Sequence, residues 1–407
     1  MSDRRSLQAL HPFARLNRLL DGTPPGDPGL TVGGREPGAP ILLSLGEPQN
    51  QPPAFVAEEL TKAAAGWARY PRPRGVPTYL EACAAWLARR YGLPDDMIDP
   101  ERMILPLPGT REGLFFAALA NAPGPGTDGA AGKPAILIPN PFYHVYAGAA
   151  AAAGVEPVFV AASRETGFQP DYGALPPAVL DRACLCYLCS PSNPQGAVAG
   201  LAKLTALIEL ARAHDFTLAF DECYAEIYTD AKPAGALQAA AALGGSLDNV
   251  LAFHSLSKRS SAPGLRCGFV VGDPRRITAL DAVLRVGGAG VPLPVLAAGT
   301  RLWQEESHVI ANRARYQENF AVAERVLGNR FNFRKPAGGF FLWLDVGDGE
   351  AAALTLWREA GIRVLPGAYM CETDPGGDNP GAPYIRIALV YDTALTEAAL
   401  RRITEIL

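Results

Sequence analysis

From residue 103 onward the chain alternates short apolar runs with stretches whose apolar residues recur every three or four positions. Short runs bounded by Gly, Pro, Asn or Asp predict buried strands, and the longer spacing predicts helices. The predicted strands are Met103–Leu107, Ala135–Ile138, Pro157–Val160, Ala183–Leu188, Thr217–Phe220, Val250–Phe253 and Cys267–Val271. Helical patterns fall between them, including Arg111–Asn121, Tyr146–Ala153 and Gly200–His214. This alternation specifies an α/β fold, a mostly parallel sheet covered by helices on both faces.

The flanks read differently. Phe13, Leu16, Leu19 and Leu20 make a short amphipathic stretch, and the Pro/Gly-rich tract Thr23–Pro40 reads as a loop. Ile41–Leu45 predicts a short strand, and Phe55–Ala68 and Thr78–Tyr91 predict helices. Beyond Pro292 a helical stretch runs from Leu293 to Val326, broken near its middle. Phe340–Leu344, a helix at Glu350–Ala360, Ile362–Leu365, Ile385–Leu389 and a final helix follow. That order predicts a smaller α+β domain, 1–46 plus 293–407, beside a large domain at 47–292.

Composition narrows the classes. A chain of 407 residues, 48% hydrophobic and 19% charged, has ample material for a globular core. A net charge of -4 offers no electrostatic case for nucleic-acid binding. Cysteines at 83, 184, 186, 189, 223, 267 and 371 form an odd, scattered set, so reduced thiols are expected. The first twenty residues lack the apolar run of a signal peptide, and no eighteen-residue apolar span occurs. A cytoplasmic location, with no membrane partner, is expected.

The chemistry centres on Phe253-His254-Ser255-Leu256-Ser257-Lys258 and Pro263-Gly264-Leu265-Arg266-Cys267-Gly268-Phe269. A lysine at a strand end can be desolvated, which lowers its pKa and frees its amine to attack a carbonyl. Two serine hydroxyls and a guanidinium beside it suit a phosphate. Together they imply a Schiff-base lysine holding pyridoxal 5'-phosphate. Pro108-Gly109-Thr110-Arg111-Glu112-Gly113 lies where a strand gives way to a helix, an anion site or an ordinary turn. Ser190-Pro191-Ser192-Asn193-Pro194-Gln195-Gly196 fixes an asparagine between prolines at another strand end, or is a plain proline-rich turn. Asp221 in Asp221-Glu222-Cys223-Tyr224 is either a cap or the partner of a pyridinium nitrogen, and Tyr224 could donate to the ring's phenolic oxygen. Each motif is modest alone; their common place at strand ends, with Lys258 last, is the stronger signal.

With these motifs the sequence, over roughly Leu42–Leu407, resembles the fold-type I pyridoxal-phosphate enzymes of the class I/II aminotransferase branch. The resemblance implies that Lys258 forms the Schiff base and shuttles the proton. It implies that Asp221 pairs with the pyridine nitrogen and that Asn193 and Tyr224 donate to the ring's O3' oxygen. Thr110, the backbone at Arg111, Ser255, Ser257 and Arg266 match the phosphate cradle, and Tyr143 the aromatic that stacks on the cofactor. Tyr70 matches a tyrosine reaching a neighbouring subunit's phosphate, which implies a homodimer with shared sites. Arg386 matches the clamp on the substrate α-carboxylate, with Gly46 close to that carboxylate.

Leu188-Cys189-Ser190-Pro191, Asp221 to Tyr228, His254 to Arg266 and Val364-Leu365-Pro366-Gly367 are together similar to bacterial N-succinyl-LL-diaminopimelate aminotransferases. That subgroup, of lysine biosynthesis, moves an amino group between glutamate and N-succinyl-2-amino-6-oxopimelate. Gln195 and Ser192 depart from the subgroup's usual threonine and glycine. An aminotransferase of aromatic, alanine or unsuccinylated diaminopimelate specificity, or a β-eliminating lyase, remains open on the same motifs.

Other patterns carry less. Ser255 to Lys258 satisfies S-x-x-K, but the companion S-D-N and K-T-G motifs are missing. Gly124 to Gly129 satisfies G-x-G-x-x-G but follows a helix and precedes a strand, the reverse of a dinucleotide fingerprint. Strand alternation puts Cys184 and Cys186 on one face and Cys189 on the other, with no histidine nearby, so core packing is expected rather than a metal site. His144 and His254 read as supporting residues, and Arg72, Arg74 and Arg285 as solvated arginines.

Overall fold

The computed structural model describes residues 11–30, 36, 38–124 and 132–407. The G-x-G-x-x-G loop beyond Gly124, and parts of the 23–40 tract, lie outside the described residues. The first strand, β1 (Ile41–Leu42), is shorter than the apolar run suggests and pairs in parallel with a strand more than 300 residues later. Next come β2 (Ile104–Leu107), β3 (Ala135–Asn140), β4 (Glu156–Ala161) and β5 (Ala183–Cys189). Then follow β6 (Thr217–Asp221), β7 (Val250–Ser255) and β8 (Gly268–Gly272). These seven form one sheet in the order β2-β8-β7-β6-β5-β3-β4. Only β8 runs antiparallel to its neighbours; the others share one direction.

Both faces of this sheet are buried, as a parallel sheet requires. Successive residues of β7 show it: Val250 and Ala252 enter one apolar cluster, Leu251 and Phe253 the other. The first cluster is closed by the helices Pro77–Tyr91, Leu201–His214 and Leu293–Gln304, the second by Thr110–Asn121, His144–Ala153 and Pro274–Gly287. The helical stretch after Pro292 thus divides. Leu293–Gln304 joins the core of the large sheet, through Leu296, Leu302 and Trp303, while Ser307–Leu327 joins the C-terminal core.

That C-terminal core gathers β9 (Phe341–Asp345), β10 (Ile362–Arg363), β11 (Leu365–Pro366) and β12 (Tyr384–Ala388) with the helices Gly349–Ala360 and Thr393–Ile406. β11, β12 and β9 make an antiparallel sheet, and β10 takes β1 as its partner. The single run predicted at Ile362–Leu365 is therefore two strands serving two sheets. Ile41 and Leu43 pack into this core, so the N-terminal residues close it.

One alternation argument fails. β5 carries a register irregularity opposite Ala135/Ile136, so Cys184 slips to the face of Leu185 and Tyr187 while Cys186 packs with Leu188 on the other. Cys184 and Cys186 therefore lie on opposite faces, because a bulge breaks the period of two. All seven cysteines are free thiols. Among the described residues, no helix is long and apolar enough to cross a membrane.

Candidate active site

Because β2, β5, β6 and β7 point the same way and β8 the opposite way, the ends of the first four and the start of β8 meet at one sheet edge. Residues 108–111, 190–195, 221–224, 255–258 and 266 all sit there, around a cavity of about 330 Å³. Of the residues that the resemblance assigns to the site, all but Tyr70 line this cavity. Tyr70 is 97% exposed and does not line this chain's own cavity.

One end is built for an anion. Gly109, at φ +106°, leads into the helix Thr110–Asn121. A Cβ there would lie 2.0 Å from Arg266 Nη2, so only glycine lets the guanidinium close over the helix start. Arg266 Nη2 donates to Glu112 Oε2 at 2.8 Å, which holds it in place. Ser255 caps the turn at Lys258 by accepting the Ser257 N–H at 3.1 Å, and the Thr110 hydroxyl contacts Cys223 Sγ at 2.9 Å. Hydroxyls, helix-start N–H groups and a guanidinium around a cradle that a methyl group would fill fit a phosphate.

Asp221 forms the floor. Its Oδ1 accepts the Cys223 N–H at 3.2 Å and its Oδ2 the Tyr146 hydroxyl at 2.7 Å. Burial pushes the carboxyl up, and the thiol and phenol contacts pull it back only in part. A cationic ring N–H beside it would restore the charged form. Tyr146 stacks on Tyr187 at 4.3 Å between centroids, and Tyr187 donates to Leu114 O at 2.7 Å. Sequence reasoning did not single out Tyr146, although its i,i+3 spacing from Tyr143 at a helix start could have done so.

Lys258 projects into the same space. Its Nζ donates to Gly46 O at 2.5 Å and lies 5.3 Å from the Phe340 ring centre. Burial lowers its pKa to about 8; Cys223 and Glu47 oppose that shift while Arg386 and Arg111 reinforce it. Tyr143 accepts from Arg111 Nε at 2.8 Å, which fixes the phenol at the cavity wall.

Opposite the anion end, Arg386 donates from Nη1 to Asn193 Oδ1 at 2.9 Å and from Nη2 to Ser44 O at 2.7 Å. Its guanidinium stands 4.3 Å over the Phe341 ring, and its buried Nε has no protein partner. Burial lowers its pKa to about 10, which leaves it charged at neutral pH. An unsatisfied, buried, charged donor is costly unless a ligand completes it, and a carboxylate does so. Apolar side chains, among them Phe13, Leu45, Tyr369 and Met370, also line the cavity. His144 stands there too, its pKa lowered to about 4, by burial first and then by His11, Arg111 and Arg386.

Other residues singled out in the sequence do not line the cavity. His254, within β7, packs against Trp86 and Phe269, and burial drops its pKa to about 3. Arg74 and Arg285 are not simply solvated: both pair with Asp281, at 3.5 and 2.9 Å. Gln195 donates to Ala162 O at 3.4 Å, which ties the loop to the end of β4, and Ser192 Oγ accepts the Ala197 N–H at 3.0 Å within the loop.

An amine, an acid and an anion cradle at the strand ends of an open α/β sheet define a pyridoxal-phosphate site of the fold-type I kind. The family model for aminotransferase class I and II matches residues 39–403, and the chain belongs to that family. It is 34% identical to the 4-dedimethylamino-4-oxo-anhydrotetracycline transaminase of Streptomyces rimosus, over 89% of this chain and 93% of that one. It is 31% identical to the LL-diaminopimelate aminotransferase of Dehalococcoides mccartyi, over 89% of this chain and 90% of the relative. An aminotransferase structure from Neisseria meningitidis superposes with a TM-score of 0.88 at 38% identity, covering 97% of this chain and 96% of that one. A probable N-succinyldiaminopimelate aminotransferase from Thermus thermophilus superposes with a TM-score of 0.80 at 26% identity, covering 91% and 95%. The protein is a pyridoxal-phosphate-dependent aminotransferase.

Proposed function

We propose that the enzyme moves an amino group between glutamate and N-succinyl-2-amino-6-oxopimelate, a step of lysine and diaminopimelate biosynthesis. The observation that supports this reading is the cavity lining, in which the apolar side chains Phe13, Leu45, Tyr369 and Met370 join Arg386 and would suit the methylene chain of a long substrate. The Thermus thermophilus neighbour's description names the succinylated substrate. The Dehalococcoides mccartyi relative's name favours a second reading, unsuccinylated LL-diaminopimelate.

Bound pyridoxal phosphate supplies an electron sink conjugated to the reacting carbon. Thr110, the Arg111 N–H, Ser255, Ser257 and Arg266 would hold its phosphate, Asp221 its ring nitrogen, and Asn193 and Tyr224 its O3' oxygen. Tyr143 would lie against its ring. Arg386 grips the substrate α-carboxylate, with Gly46 beside it, and so turns the Cα–H bond toward Lys258. The Lys258 amine, neutral in a substantial fraction because it is buried, takes that proton and returns it.

The same reading makes the enzyme a cytoplasmic homodimer in which Tyr70 serves the partner's site; its 97% exposure leaves it free to do so. It also keeps two domains, a large one that begins at 47 and a smaller one of 1–46 and the C-terminal residues, but with the expected boundary at 292/293 shifted. Because Leu293–Gln304 packs in the large core, the hinge on that side falls at the corner before Ser307.

A half-reaction panel tests the substrate: loss of the visible band of the lysine-bound cofactor is followed with glutamate, aspartate, alanine, LL-diaminopimelate and its N-succinyl derivative. Bleaching by glutamate and the succinyl compound is expected. Preference for the free diamine would select the second reading. A Lys258→Ala enzyme that keeps both the band and normal turnover would end either.

A further inference from the structure

The turn that carries Lys258 is held by a side chain far along the sequence. Residues Leu256–Arg259 form a single helical turn, so carbonyls at its end lack the partners that a longer helix would supply. Asn312, on the helix Ser307–Leu327, meets that need. Its Nδ2 donates to Lys258 O at 3.0 Å and to Arg259 O at 3.3 Å. Its Oδ1 accepts from Ser261 Oγ at 2.9 Å and from Asn50 Nδ2 at 3.2 Å. A carboxamide offers two donors and two lone pairs, so all of its bonding capacity is used in a buried position.

Each partner bears on the lysine. Asn50 follows shortly after Gly46, whose carbonyl accepts from Lys258 Nζ. Ser261 sits at φ +47°, a conformation unfavourable for a residue with a side chain, and its bond to Asn312 helps to hold it there. The same corner of the chain secures the adjoining residues: His308 Nε2 meets Ser260 Oγ at 2.8 Å, and Arg259 reaches Leu302 O at 2.6 Å and Glu306 Oε1 at 2.7 Å. Lys258 extends from the large sheet, whereas Asn312 rides on a helix of the C-terminal core. The carboxamide therefore knots together the lysine turn, the loop that receives its ammonium, and the helix that follows the hinge.

We propose that Asn312 is a positioning residue for Lys258, setting where Nζ stands without touching cofactor or substrate; this rests on the reading of Lys258 as the lysine that binds the cofactor. Substituting it removes two donors from the lysine turn and frees Asn50 and Ser261, so Nζ loses its fixed approach. Misplacement on the order of 1 Å costs about a hundredfold in an oriented reaction. Arg386 keeps its own contacts, so substrate binding is spared.

The test uses the holoenzyme with Asn312→Ala, the isosteric Asn312→Asp, and the milder Asn50→Ala. For the Asn312 variants we expect kcat to fall roughly tenfold to a hundredfold while KM for the amino donor stays within about twofold. We also expect a displaced pH midpoint for the visible cofactor band and faster cofactor loss on dialysis. Asn50→Ala should move the same readouts in the same direction by less, and it decides the matter if the Asn312 variants do not fold. Folded variants with the native band titration and native kcat, or with only a lowered melting temperature, overturn the proposal. Absence of the lysine-dependent band in the native enzyme would instead defeat the reading of Lys258 itself.

Discussion

Raising the pH of the cofactor-free enzyme titrates Lys258, and the rate of pyridoxal-phosphate capture reads that titration. Burial disfavours the ammonium, so the folded-state pKa falls from 10.5 to about 8. At pH 7 about one amine in ten is then neutral, against about three in ten thousand for a solvated lysine. The neutral amine is the form that attacks, so capture at pH 7 should run roughly 300-fold faster than the same group would at its ordinary pKa. Growth of the visible band after mixing with excess cofactor gives the rate, and a simple amine in the same buffers corrects for the cofactor's own titration. The corrected rate should rise about tenfold from pH 6 to 7, then bend, and be nearly flat above pH 9. A corrected rate that climbs tenfold per pH unit through pH 10 would show a solvated lysine and refute the burial argument.

Three further changes probe separate parts of the site. Arg386→Lys removes the fork that binds Asn193, Ser44 and the substrate; KM for both substrates should rise about tenfold to a hundredfold, with kcat less affected, as steady-state kinetics will show. Gly109→Ala pushes Arg266 out of the cradle and strains a positive φ, so cofactor affinity in equilibrium dialysis should drop about tenfold or more. Tyr146→Phe takes away a bond that lowers the Asp221 pKa, so that pKa rises further. Activity should therefore be lost at a higher pH on the acid side of the kcat profile, and an unmoved acid limb would remove Tyr146 from the account.

The apolar runs alone determined the seven strands of the large sheet, because all but the edge strand β4 are buried on both faces and each is bounded by turn residues. They could not give strand order, nor show that β8 alone reverses, since pairing is settled between segments far apart. That reversal puts Arg266, which precedes its strand, at the same edge as Lys258, which follows its own. The bulge that parts Cys184 from Cys186 was equally hidden, because it arises from the fit of β5 to β3. Lys258 and Asp221 were legible as residue types at strand ends, and Arg386 as a lone arginine within an apolar run. Their chemistry was not: a pKa near 8, a buried guanidinium nitrogen left for a ligand, and a carboxamide from position 312 holding the lysine turn all depend on which surfaces exclude water. Local sequence sets periodicity and chemical type, whereas burial and long-range hydrogen bonds exist only once distant segments have packed.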